Sequence, residues 1–351
     1  MIRILPLALV LTCQPLLAQT PTPAAVAIRA VIDEYENAVR ANTQKIIAAQ
    51  TEEEKNKYRG TIPTVAPYAA KVLKIVQEQA KDPGSATGVS WLVTQATGFP
   101  EGQAAMQMLA TTHCASAGIA PAVKSLEHHP LNVAEPILLA VREKNPNAEE
   151  KAAATYALGV QHFRLFEAAT TPQEAEAAKT KAMDYFQQVV AEHAKVTIQG
   201  FPIADQAGRM LFEMTNLSVG SEMPEIEGKD VDGGVFKLSD HRKKHVVLIF
   251  WGGWCHACHG VLPLLNQLTL DMRDKPVVVL GVNSDIPDEA RKAYSDYKVA
   301  FRNWSDGTTS GPITTLFNLR NFPTIYLIDP AGRIVLKNTS VEAVREKLKG
   351  L

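Results

Sequence analysis

The chain has little cysteine, no excess of charge of either sign, and no long apolar run after its first few residues. Only four cysteines occur in 351 residues. One of them, Cys13, sits in a leader-like start, and the odd number left over does not build a disulfide scaffold. Lys plus Arg number 36 against 37 Asp plus Glu, a formal net charge of -1. That balance lacks the electrostatic footprint of nucleic-acid binding, so nucleic acid is not an expected partner. Beyond about the first twenty residues no apolar stretch approaches the roughly 18 to 20 needed to cross a bilayer. What is present is 46% hydrophobic residues, enough to bury a core, on a chain too long for one typical domain. Two folded domains are expected.

Arg3 precedes an uncharged, mostly apolar stretch from Ile4 to Leu17, and Leu16-Leu17-Ala18 offers a small residue for cleavage. This predicts a secretory signal peptide at residues 1–18, and so an extracytoplasmic protein, periplasmic or secreted, soluble once the leader is removed. Leu16 stands where a small residue is preferred. A lipid anchor on Cys13 is disfavoured by Thr12 directly before it, and an uncleaved N-terminal anchor by the shortness of the stretch.

From about Ala24 to Leu217 apolar residues recur at helical spacing, as in Val26, Ile28, Val31, Ile32, Tyr35 and Val39, between breakers such as Pro63, Pro100, Pro130 and Pro172. An all-helical domain is expected over residues 19–217. Small residues alternate with large ones from Asn147 to Lys195, a pattern that resembles a tetratricopeptide-type hairpin, although no strict repeat runs through the region. After Leu217 glycines and β-branched runs appear: Val246–Phe250, Val277–Leu280, Thr324–Ile328 and Arg333–Leu336. Helical patterns separate them, with an Asp329-Pro330-Ala331-Gly332 turn before the last, so an α/β domain is expected over residues 218–351.

The strand ending at Trp251 leads through Gly252-Gly253 into Trp254-Cys255-His256-Ala257-Cys258 and then a helical pattern containing Pro263. Cys255 is expected at the helix N-terminus, where free N–H groups and the macrodipole stabilise a thiolate. Cys258 falls one turn later on the same face, close enough for a disulfide. The first reads as an exposed nucleophile and the second as its resolving partner. His259, adjoining Cys258, points elsewhere on the helix and is expected to face solvent.

Residues 219–351 resemble the thioredoxin fold, specifically extracytoplasmic thiol-disulfide oxidoreductases of the TlpA/ResA type. The resemblance rests on Gly220–Pro224, the Phe250–Cys255 approach, the C-x-x-C pair, and Asn321-Phe322-Pro323-Thr324 followed by a strand and turn. It implies a central mixed sheet flanked by helices, catalysis by Cys255 and Cys258, and no cofactor or metal. It also implies a cis Pro323 facing the dithiol, where the preceding backbone meets a substrate peptide. Trp254, His256, Ala257, Phe322, Pro323 and Thr324 are the candidate supports for substrate. Protein thiols or disulfides are the expected substrates, a membrane or extracytoplasmic protein the expected redox partner, and the helical domain a possible binder of another protein.

Cys255–His259 also fits C-x-x-C-H, the haem c attachment pattern, which would leave the thioredoxin features unexplained. Zinc on Cys255, Cys258 and His259 is a further rival, but His241 and His245 lie at the far end of the preceding strand. A second class of reading makes the chain a helical binding or scaffold protein whose C-x-x-C-H run is such a site or inactive. Neither active cysteine has Thr three residues before it, which counts against peroxidase activity. His113, Cys114, His128 and His129 read as structural, and Trp304–Gly307 as a turn. Three departures bear on mechanism. Thioredoxins carry an acid where this chain has Ile249, and TlpA/ResA-type proteins often have Glu where it has Val261. His256-Ala257 replaces the Pro common between the cysteines of reducing members. A protonated histidine there would stabilise the thiolate, and one pKa unit is worth about 30 mV, so a more oxidising site is expected.

Overall fold

Several prolines begin helices, the expected breakers Pro100 and Pro172 among them, because a missing N–H costs nothing in the first turn. Pro23, Pro100, Pro172, Pro287 and Pro312 each stand at the first helical position. Thr171 completes a capping box with Glu174 ahead of one of them. The computed structural model describes residues 20–351, so the expected signal peptide at residues 1–18 lies outside them. No helix among the described residues is long and apolar enough to cross a membrane. The chain forms two compact units, one ending at Ala157 and one running from Leu158 to Leu351.

The first unit is helical: α1 (Pro23–Ala48), α2 (Glu52–Arg59), α3 (Ala66–Glu78), α4 (Ser85–Gln95), α5 (Pro100–Thr111), α6 (Ala120–Ser125), α7 (Leu131–Lys144) and the start of α8 (Ala148–Ala168). The α1 stripe differs from expectation. The buried face runs at i, i+4 through Ala24, Ile28 and Ile32, and Val26, two residues off that line, is 58% exposed. At Gly88 a Cβ would lie 2.6 Å from Val76 Cγ2, so glycine there lets α4 approach α3.

The second unit takes in the rest of α8, α9 (Pro172–Glu192), a short hairpin of β1 (Thr197–Ile198) and β2 (Phe201–Pro202), and α10 (Ile203–Asn216). The expected all-helical region is therefore interrupted by one two-stranded hairpin. A Cβ on Gly159 of α8 would lie 2.6 Å from the Phe186 ring of α9, the small-against-large contact the hairpin pattern implied.

Beyond α10 come β3 (Glu227–Lys229), β4 (Val235–Lys237), β5 (His245–Trp251), α11 (His256–Asp271), β6 (Val277–Asn283), α12 (Pro287–Asp296), β7 (Arg302–Ser305), α13 (Pro312–Leu316), β8 (Thr324–Ile328), β9 (Ile334–Lys337) and α14 (Val341–Lys347). The five-stranded sheet has the order β7-β6-β5-β8-β9. β6 runs parallel to β5 and β7, while β8 is antiparallel to β5 and β9. This is the thioredoxin-like mixed sheet flanked by helices. Trp304, expected in a turn, is instead fully buried in β7 and stacks on Phe236 at 4.2 Å. Its single flanking apolar residue was too short a signal for an edge strand. α11 continues through Pro263 without a break.

Side chains of β5 alternate between two cores, as a period of two demands. Val247, Ile249 and Trp251 join Cys255, Cys258, Leu262 and Leu265 on one face. Val246, Leu248 and Phe250 join Met223, Phe236 and Phe317 on the other, where Leu217 is also buried and Phe212 of α10 packs against them. The residues just before the expected domain start thus contribute to its core.

Candidate active site

The parallel strand β5 delivers its C-terminal end to a turn that becomes α11. Cys255 is the N-cap residue, and its Sγ accepts the Cys258 N–H at 3.2 Å. The two sulfurs form a disulfide across the first turn, with the Cα atoms 5.3 Å apart. Cys258 is fully buried and Cys255 only 5% exposed, so the first cysteine is the more accessible of the two but is less open than expected. A Cβ on Gly252 would lie 2.3 Å from Trp254 Nε1, so the indole lies close over that residue. Trp254 itself is 54% exposed and meets the Phe322 ring edge-on at 5.2 Å.

The approach loop is held by side chains the sequence reading did not single out. Gly253 N–H donates to Asp285 Oδ2 at 2.7 Å, and the same oxygen accepts Asn283 Nδ2 at 2.8 Å. The Gly253 carbonyl accepts from His259 Nε2 at 2.8 Å, and the His259 ring stacks on Tyr297 at 4.5 Å. Both backbone groups of Gly253 are thereby fixed, and His259 packs into the loop instead of facing solvent. Ser284 N–H bonds to the Trp251 carbonyl at 3.0 Å. The available signal was the polar Asn283-Ser284-Asp285 run at the end of a buried parallel strand, the end at which α/β sheets place their sites. Trp251 Nε1 donates to Asn303 Oδ1 at 2.7 Å, and a Cβ on Gly281 would lie 1.8 Å from that oxygen. Tyr294, half-buried near Asp285 and against Trp251, has its phenol pushed well above the usual range, by desolvation first.

The Phe322–Pro323 peptide is cis. Thr324, the first residue of β8, pairs with Phe250 in the register, and its Oγ1 donates to the Asn321 carbonyl at 2.8 Å. The start of β8 is therefore brought to the end of β5 from which the cysteine loop departs. His256 and Ala257 are exposed on the first turn of α11. Ile249 and Val261, at the places of the two missing acids, both belong to the apolar cluster that buries Cys258.

The other singled-out residues lie elsewhere. Cys114 is a buried free thiol in the first unit, and its carbonyl accepts Asn145 Nδ2. His113 is buried beside it, its imidazole pushed toward the neutral form by desolvation. Among the described residues no group of three or more His, Cys, Asp or Glu side chains is placed to hold a metal ion. His245 begins β5, the opposite end of that strand from the cysteines.

A protein-family model described as the AhpC/TSA family matches residues 219–337. The thiol-disulfide oxidoreductase ResA of Bacillus cereus is 30% identical over 135 residues, 38% of this chain and 76% of that protein. The chain belongs to the ResA family of thiol-disulfide oxidoreductases. ResA of Geobacillus kaustophilus is 31% identical over 123 residues, covering 35% of this chain and 70% of that one. The crystal structure of the thioredoxin domain of a thiol-disulfide oxidoreductase from Bacteroides vulgatus is similar at 26% identity and a TM-score of 0.36, covering 38% of this chain and 100% of that chain. As a ResA-family member, the protein is a thiol-disulfide oxidoreductase with a redox-active cysteine pair. The helices before residue 219 lie outside the region that the family model matches.

Proposed function

We propose that this enzyme works outside the cytoplasm and exchanges electrons with protein thiols or disulfides through the Cys255–Cys258 pair. Cys255 is the attacking residue. The observation that carries the reading is the disulfide across the first turn of α11, with Cys255 at the N-cap and the more accessible of the two. In the reducing direction the Cys255 thiolate attacks a substrate disulfide, forming one S–S bond while the substrate's breaks and one substrate thiolate leaves. Cys258, once deprotonated, then attacks Cys255 Sγ. The mixed disulfide breaks, the second substrate thiolate departs, and two electrons have passed to the substrate. The same steps in reverse oxidise a dithiol.

Trp254, Phe322, Pro323 and Thr324 form the rest against which a substrate peptide lies, with the exposed Trp254 ring as its apolar wall. His256, exposed beside the attacking sulfur, favours the thiolate when protonated and so stabilises the reduced dithiol, which makes the site more oxidising toward its substrates. Export is supported by the leader pattern of residues 1–18. A membrane or extracytoplasmic protein completes the electron path, and the helical region selects partners. Cys258→Ser is expected to accumulate mixed disulfides with substrate proteins, visible on non-reducing gels, whereas Cys255→Ser forms none. The opposite pattern would reverse the assignment.

A further inference from the structure

A buried carboxylate stands apart from the thiol chemistry. Glu213 on α10 is 2% exposed. Its Oε1 accepts Arg320 Nη2 at 2.9 Å and Lys337 Nζ at 2.7 Å, and its Oε2 accepts Asn318 Nδ2 at 2.8 Å. Asn318 and Arg320 belong to the segment between α13 and β8 that ends in Phe322–Pro323. Asn318 has φ +47°, a left-handed turn that asparagine tolerates, and its amide is held where that turn leaves it. The Arg320 guanidinium also covers the Phe163 ring of α8 at 4.8 Å. Downstream, Thr324 bonds back to Asn321 and pairs with β5. The segment is thus fixed at both ends, and Phe322 lies between the two anchors.

A buried acid with three donors is a stiff anchor. Removing its charge takes the carboxylate from Lys337 and leaves Arg320 only the longer contact to Glu167 at 3.8 Å, unlike the loss of an exposed ion pair. Glu213 precedes residue 219, so the anchor comes from outside the region that the family model matches. We propose that Glu213 is a positioning residue for substrate binding, holding the 318–323 segment through Asn318 and Arg320 so that Phe322–Pro323 stands preformed against a substrate peptide at Cys255. This rests on the reading of Phe322–Thr324 as the substrate rest.

The test uses full-length enzyme. Glu213→Gln keeps the size and an acceptor but removes the charge. Its kcat/KM toward a disulfide-bonded peptide should fall about tenfold, through KM, since misplaced binding groups cost rate steeply. Its reaction with the small aromatic disulfide dithiobis(nitrobenzoate), which has no peptide to lay on the rest, and its reduction potential should not change. Arg320→Met, at a partly exposed side chain, should give the same split, and it decides the matter if Glu213→Gln does not fold. An unchanged peptide KM in a folded variant, or a parallel fall on both substrates, overturns the proposal. Pro323→Ala tests the underlying reading separately. If it leaves the peptide KM unchanged, the rest lies elsewhere and the proposal falls with it.

Discussion

Cys258 must lose a proton before it can attack, and its neighbours Ile249 and Val261 offer no acid to take it. His259 is engaged as well, because its Nε2 is bonded to the Gly253 carbonyl. A thiol in apolar surroundings gives up its proton reluctantly, so resolution of the mixed disulfide should be slow near neutral pH. Where deprotonation limits, its rate should rise about tenfold per pH unit. Val261→Glu, only partly buried and beside Cys258's turn, should speed that step several-fold without changing the first attack. Single-turnover kinetics check this, and an unchanged resolving rate would show that proton removal does not limit. The two absences were legible in the sequence from spacing to the cysteines. The engagement of His259 was not, since helix geometry gives a direction but not the carbonyl that waits there.

The element that matters most for the dithiol is the short connection Gly252–Trp254 between β5 and α11. A strand running into a helix was readable from periodicity, and so was Cys255 at the helix start. The stiffness of the connection depends on the β6–α12 loop, where Asp285 reaches across to Gly253 N–H. Asp285→Ala leaves that N–H and the Asn283 amide unpartnered in a buried place, a loss of about 1–3 kcal/mol. Urea unfolding should show a destabilisation of this size, and Asp285→Asn, which retains an acceptor oxygen, should recover much of it. If the two variants are equally destabilised, the carboxylate's charge and not its hydrogen bond holds the loop.

For the molecule as a whole, the expected division at Leu217/Ser218 can be tested against the compact unit that begins at Leu158. A fragment of residues 218–351 keeps all five strands of the main sheet and the dithiol, and should fold. It loses the buried Leu217, the Phe212 contact and the Glu213 partner of Lys337 and Arg320. Loss of a buried leucine alone costs about 2–5 kcal/mol. The 158–351 fragment should therefore be more stable by at least about 3 kcal/mol in urea titrations. Equal stability would leave residue 218 as the true start of the folding unit.

The sequence by itself determined the dithiol, its place at a helix start, the alternation of strand and helix after residue 217, and the family, because these rest on local spacing and on motifs short enough to read in line. Tertiary structure alone decided which side chains secure that motif. Asp285 and His259 meet at Gly253, and Glu213 meets Asn318, Arg320 and Lys337, only once the sheet register and helix packing bring distant segments within hydrogen-bond reach. Such contacts are directional and act over a few ångströms, so they leave no periodic trace along the chain.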